Sequence, residues 1–430
     1  MIPLFNRVLS WTTAFARSRR GNVAIIFALT LLPISFLIGM VINYSEASQK
    51  QVILDAAADA AALAAVDYQA MTQSASAAQT IAQNVFNAQT ANIPGLTNTN
   101  LSVSVQNSGL GRTALVSYQA QSTNVFPGLF HNYWSITGSS QAASAIPPNI
   151  DFYLLLDNSP SMAVAATPAD ITTMVNATQS QGGCAFACHE SNPAADNLGN
   201  PGGVDNYTLA QQLGVTTRIA VLRTATQQLM DTATATQTLY NNQYRMAVYT
   251  FSTQLNTIAA LSSSLSSVKS QAGNIDVIEV YKNNYLTSTN NNNDEDTNFD
   301  SALTGINSIM PNPGNGSQTS TPQEVLFLVS DGVEDENVNG NRQQSVLNAS
   351  LCTTIKNRGI RIAVLYTTYL PLPTNSWYNT YIAPFQSNIG PTMESCASPG
   401  LYFEVSPSQG IPQAMTQLFQ QAVQTARLTQ

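Results

Sequence analysis

Asp151-Phe152-Tyr153-Leu154-Leu155-Leu156-Asp157-Asn158-Ser159-Pro160-Ser161 is the stretch whose reading decides the fold. An apolar run without alternation ends in a carboxylate and then in a turn of small hydroxyl residues. A strand that is apolar on both faces needs cover on both faces, and parallel sheets flanked by helices supply it. Comparable runs return at 246–251, 325–329, 362–366 and 402–405, and helical patterns fall at 218–235, 299–309, 343–356 and 411–428. Strands alternating with helices predict an α/β unit, a doubly wound and mostly parallel sheet with helices on both faces. Ligands of such sheets bind beyond the carboxyl ends of the strands. Asp157 stands at one of those ends.

Two further loops repeat the chemistry. Ser330-Asp331-Gly332 closes another buried strand, and Asp296-Thr297-Asn298 directly precedes a helix. Asp157, Ser159, Ser161, Thr297 and Asp331 are all hard oxygen donors, a set that suits Mg²⁺, or alternatively Mn²⁺ or Ca²⁺. Two carboxylates are too few for a closed cage. A coordination position is left for an outside oxygen, typically an acidic side chain of a partner. The bland reading is a set of ordinary Asp and Ser turns. The acidic groups 294–296 and 334–336 border these loops and read equally as cation-attracting or as merely solvated.

With the three loops in this order, residues 150–430 resemble a von Willebrand factor A (vWA) domain with its metal-ion-dependent adhesion site. Asp157, Ser159 and Ser161 match the D-x-S-x-S motif, Thr297 the lone threonine loop, and Asp331 the Asp before Gly. The resemblance implies a Rossmann-like sheet and a divalent cation held by these residues, directly or through water.

At the other end of the chain, Val23 to Ile42 carries no charge. As a helix it is about 30 Å long, the thickness of a bilayer core. Arg7, Arg17, Arg19 and Arg20 are the only charged residues before Glu46, which predicts a cytoplasmic N-terminus and an extracytoplasmic remainder. No small-residue cleavage box follows the run, so a retained anchor is expected over a cleaved signal peptide. Next comes an Ala-rich helix with Asp55 and Asp59 four apart, continuing the membrane helix as a stalk. Alternating stretches at 101–105, 114–118 and 134–137 then predict a small strand-rich unit, ended by Pro147 and Pro148. The expected division is a basic tail at 1–22, a transmembrane helix at 23–43, an α+β unit at 44–147, and the α/β domain at 148–430 with an insertion at about 162–215.

Arg19-Arg20-Gly21-Asn22-Val23-Ala24-Ile25-Ile26-Phe27-Ala28-Leu29 is similar to the R-G-N-x-A-x-x-F-A-L opening of TadE/TadG-like proteins of the tight-adherence (Flp) pilus system. The Ala-rich segment 55–65 resembles that family's helix after the membrane. Pseudopilins of the system carry a Glu where Ile26 stands, which argues against prepilin-type cleavage after Gly21. A TadG-like protein with a C-terminal vWA domain is the closer match.

Cys184, Cys188, Cys352 and Cys396 suit two disulfides in an oxidising compartment, with local pairs expected. The run Cys184-Ala185-Phe186-Ala187-Cys188-His189 is a c-type haem signal with one extra residue, so haem or zinc is the rival reading there. His131 and His189 are the only histidines, and neither has a G-x-S-x-G partner. With no P-loop and no G-x-G-x-x-G either, enzymatic function is not expected. Sixteen basic against 24 acidic residues, net −8, argues against nucleic acid. The expected function is a single-pass inner-membrane protein, its bulk periplasmic or surface-exposed. Its vWA domain binds a Tad pilus-assembly protein or pilin through the metal. The alternative is an envelope scaffold with a structural metal.

Overall fold

The computed structural model describes residues 21–126, 131–185, 199–280, 297–338, 341–369, 371, 376–406 and 410–425. Two compact units divide at Ile146 and Pro147.

The first unit is built on one long helix, α1 (Gly21–Ala65), which runs through Pro33. Its most apolar stretch has a mean hydropathy of 2.6 and leaves nearly all its side chains open, making it a candidate membrane span. Farther along, Ala47, Leu54, Ala57, Ala58, Ala61 and Ala65 are buried at helical spacing. Alanine on that stripe lets α2 (Ala75–Thr90) and a sheet approach closely. Ser74 caps α2 by accepting from Ala77 N. The sheet is an antiparallel meander of β1 (Leu96–Ser108), β2 (Gly111–Thr123) and β3 (Tyr133–Ala145), in that order. Asp55 of the stalk accepts a 2.6 Å hydrogen bond from the Tyr118 hydroxyl on β2. Gly138 on β3 makes room for that pair, since a Cβ there would fall 2.5 Å from both oxygens. The Arg112 guanidinium is buried and donates to the Ala70 and Gln73 carbonyls, which ties the sheet to the turn before α2.

The second unit is a six-stranded sheet of order β11-β10-β7-β4-β5-β6. Its members are β4 (Ile150–Asp157), β5 (Tyr244–Phe251), β6 (Leu255–Ser262), β7 (Gln323–Ser330), β10 (Arg361–Thr367) and β11 (Tyr402–Val405). All neighbours pair in parallel except the edge strand β6, which runs antiparallel to β5. Each buried strand feeds both faces, as the apolar runs demand. From β4, Phe152, Leu154 and Leu156 enter one core, with Tyr207, Ile219, Leu222, Leu418 and Phe419. Tyr153 and Leu155 enter the other, with Phe299, Leu303, Cys352, Ile389 and Met393. The first face is covered by α3 (Pro168–Ala177), α4 (Asn206–Gln212), α5 (Arg218–Tyr240), α6 (Leu265–Ala272) and α10 (Ile411–Thr425). The second is covered by α7 (Phe299–Ile309), α8 (Ala349–Asn357) and α9 (Gln386–Cys396). The expected mostly parallel α/β sheet with helices on both faces is what forms. Met174 of α3 and Tyr207 of α4 belong to the core, so the long segment between β4 and α5 is partly structural.

The helix expected over 343–356 is corrected. Its first residues lie in β9 (Asn341–Val346), which pairs with β8 (Val333–Val338) as an antiparallel hairpin. The helix starts only at Ala349, where Asn348 accepts from Ser350 N. The hairpin is mostly polar: Val333 and Val346 at its base join the second core, and the backbone ladder and an Arg342–Asp335 ion pair hold the rest.

At the opposite end of the sheet from the carboxyl ends, Asp151 and Glu324 are register partners on β4 and β7, both buried. Asp151 is paired with Arg245 of β5, whereas Glu324 Oε2 has no hydrogen-bond partner. Burial, then the charge of Asp151, pushes the Glu324 carboxyl up to about 8. The folded state therefore keeps a proton that the unfolded chain releases near pH 4.5, and this contribution is lost as pH rises toward 8. Glu324→Gln is expected to stabilise the unit by about 1–3 kcal/mol at pH 9 and to flatten that slope. Urea melts at pH 5, 7 and 9 check it, and an unchanged slope would contradict it.

Candidate functional site

Asp157, the last residue of β4, is buried and doubly held at the carboxyl end of the sheet. Its Oδ1 accepts from Ser159 N at 2.9 Å and its Oδ2 from the Ser330 hydroxyl at 2.6 Å. The Ser159 and Ser161 hydroxyls are 3.0 Å apart. Asp157, Ser159 and Ser161 thus form one hydrogen-bonded group, and Ser330, which the sequence reading did not single out, joins it and brings in the adjoining Asp331. Ser330 also accepts from Gly332 N at 2.9 Å. Gly332 has φ +77°, and a Cβ there would lie 2.6 Å from Ile389 Cγ2, so the turn that presents Asp331 needs glycine.

Thr297 is attached differently. Its backbone exchanges two 2.9 Å hydrogen bonds with Asp335 of the hairpin, and the following Asn298 N donates to Ser252 O just past β5. It lies buried at the same end of the sheet, joined to the group through backbone. Asp294, Glu295 and Asp296 lie outside the described residues, as do Arg7, Arg17, Arg19, Arg20, Cys188 and His189. Cys184 is half-buried, with its N–H donating to the Thr178 hydroxyl. Cys352 and Cys396 are joined in a disulfide between α8 and α9.

The residue that sequence reasoning missed is Arg218, the first of α5. Its buried guanidinium lies 3.5 Å from Asp331 Oδ2. A cation in the first turn of a helix opposes the helix dipole. An arginine opening an otherwise apolar-faced helix is the signal that a carboxylate awaits it. Burial holds the Asp157 carboxyl above the usual range, and the charge of Asp331 adds to this. Asp331 is likewise raised by burial, while Arg218 pulls it back.

The donor set fits a hard divalent cation. Two buried carboxylates face one guanidinium, which leaves charge uncompensated when both are ionised. Asp331 Oδ2 has no hydrogen bond, and the Ser159 and Ser161 hydroxyls, on the loop after Asp157, are paired with each other. Among the described residues no group of three or more His, Cys, Asp or Glu is gathered as for a closed cage. The donors here are two carboxylates and hydroxyls.

Residues 21–79 match the family model described as putative Flp pilus-assembly TadE/G-like. No curated protein matches the chain. Among solved structures, BatB from Bacteroides thetaiotaomicron is similar at 14% identity, over 64% of this chain and 99% of that one, with TM-score 0.33. The vWF domain of the type V pili tip protein Mfa5 from Porphyromonas gingivalis is similar at 9% identity, over 65% and 97%, with TM-score 0.34. The PilB minor pilin from Streptococcus sanguinis follows at 12% identity, over 77% and 78%, with TM-score 0.36. The chain joins a TadE/G-like segment at residues 21–79 to a doubly wound, mostly parallel sheet.

Proposed function

We propose that this chain, TadE/G-like over residues 21–79 and vWA-like in its second unit, is a membrane-anchored pilus-assembly protein that captures a partner at a divalent-cation site. The observation that carries the reading is the buried Asp157–Asp331 group at the carboxyl end of the sheet, with an Asp331 oxygen that no hydrogen bond satisfies. Asp157, Ser159, Ser161 and Asp331 would hold the cation, with Thr297 on the rim. A bound cation supplies a Lewis-acid contact for an oxygen from outside the domain. The chain's own part is to fix the Asp157 carboxylate through the Ser330 hydroxyl and Ser159 N, and to keep Arg218 as counter-charge beside Asp331. A Tad assembly protein or pilin with an acidic side chain is the partner this chemistry fits. The arginine-rich sequence before α1 supports a reading in which the second unit lies on the periplasmic side of the inner membrane. We assign no enzymatic activity.

The Arg218–Asp331 pair favours one other reading, a scaffold whose loops are tied internally and whose partners are indifferent to metal. Asp157→Ala separates the two. Wild type at a hundredfold excess of Mg²⁺ over its Kd should gain about 2.7 kcal/mol of stability, and the variant none. Pull-downs of Tad components in Mg²⁺ and in chelator give the second readout. Wild-type protein whose melting and partners are both blind to divalent cations would leave the scaffold reading standing.

A further inference from the structure

Where α1 leaves its charge-free stretch, the first unit gathers an open aromatic patch. Tyr44 on the helix is 58% exposed, Tyr133 and Trp134 at the start of β3 are 48% and 37% exposed, and Val125 and Phe126 after β2 are 57% and 42% exposed. Exposed singly, such residues mean little; here they are built into one body. The Tyr44 and Trp134 rings meet edge to face with centroids 5.7 Å apart. Phe126 N donates to the side chain of Asn43, itself buried, so the loop after β2 is pinned to the helix. Burial on α1 begins at Gly39, inside the charge-free stretch and about 5 Å short of its end along the helix axis. The first charge beyond the patch, Glu46, is turned toward Lys50 at 3.9 Å.

We propose that this patch is a second membrane contact: the aromatic rim of the first unit lies in the headgroup region of the bilayer that α1 crosses. The unit then stands on the membrane surface instead of at the end of a free stalk. Tyrosine and tryptophan suit that layer because each has an apolar ring and a polar edge. The occupant is a lipid surface because the patch is continuous with the apolar helix and contains no charged residue. The proposal rests on the reading of α1 as a membrane span.

The test uses the full chain in phospholipid vesicles, with Trp11→Phe and Trp377→Phe leaving Trp134 as the single indole. Lipids brominated near the headgroup end of the acyl chain should quench its emission at least twofold, and aqueous iodide should barely affect it. The reverse pattern overturns the proposal. Photolabelling of the unsubstituted chain by a headgroup-diazirine phospholipid should mark the segments around 125 and 133–134; labelling confined to 23–42 also overturns it. Hydrogen exchange of 23–42 in the same vesicles keeps the two readings apart. Protection there with an iodide-accessible Trp134 removes the rim contact and leaves the anchor, whereas free exchange there removes both.

Discussion

Arg218→Met is expected to destabilise the second unit by about 3–5 kcal/mol in chelator at pH 7.5, the cost of breaking a buried ion pair from one side. Both partners are almost wholly buried, with side-chain exposures of 5% for Arg218 and 1% for Asp331. Solvent cannot take over the guanidinium's role. Asp157 sits close enough to Asp331 for each carboxylate to raise the cost of ionising the other. Removing Arg218 leaves two like charges in a low-dielectric site. The deficit should shrink as pH falls toward 5. Both groups already bind protons more tightly folded than unfolded, and losing Arg218 strengthens that preference, so a bound proton then replaces the lost charge. On the metal reading Mg²⁺ should also restore part of the loss, since it is another route to positive charge at the same oxygens. Urea melts across pH with and without Mg²⁺ check the three statements. A loss below 1 kcal/mol at pH 7.5 would mean that the pair adds little to the fold.

The parallel core was legible because burial on both faces writes itself as uninterrupted apolar runs, as in Tyr153-Leu154-Leu155-Leu156. The edge strand β6 was not, because Leu255–Ser262 is half open to solvent and mixes Asn, Thr and Ser with its apolar residues. The β8–β9 hairpin was invisible for a stronger reason. Beyond the single Val333–Val346 pair at its base, it is held by a backbone ladder and the Arg342–Asp335 pair, and neither leaves a periodic hydrophobic trace. The site shows the same division. Strand-end motifs found Asp157, Ser159, Ser161 and Asp331, because loops adjacent in the sheet converge whatever lies between them in sequence. Arg218 reaches Asp331 from a helix more than 100 residues upstream, a meeting that only the packed layers bring about. Thr297 was placed by motif alone, and its backbone bond to Asp335 makes the unanticipated hairpin part of the site's rim.

Replacing both Cys352 and Cys396 by alanine is expected to cost about 4 kcal/mol, comparable to the loss of Arg218, by a different route. The bridge closes a loop of sequence separation 44, so its absence chiefly frees the unfolded chain. Both residues are fully buried between α8 and α9, in the core that backs the second face of the sheet. Alanine leaves no unpaired hydroxyl there, which makes the double variant a cleaner comparison than serine. The consequence should extend to the site. Ile389 and Met393 on α9 press against Gly332, the turn that presents Asp331, so loosening α9 relaxes the packing behind one carboxylate. Divalent-linked stabilisation should therefore fall along with overall stability. Wild-type protein treated with a thiol reductant should reproduce the variant's urea midpoint, because the same constraint is removed by chemistry instead of by substitution. Such dependence on an oxidised bridge also suits the proposed periplasmic placement, since disulfides persist there and not in the cytoplasm. Alkylation of the chain taken directly from cells gives the compartment readout: Cys352 and Cys396 should resist a thiol reagent until reduced. Reactive thiols at both positions in freshly lysed cells would contradict the bridge and the proposed orientation together.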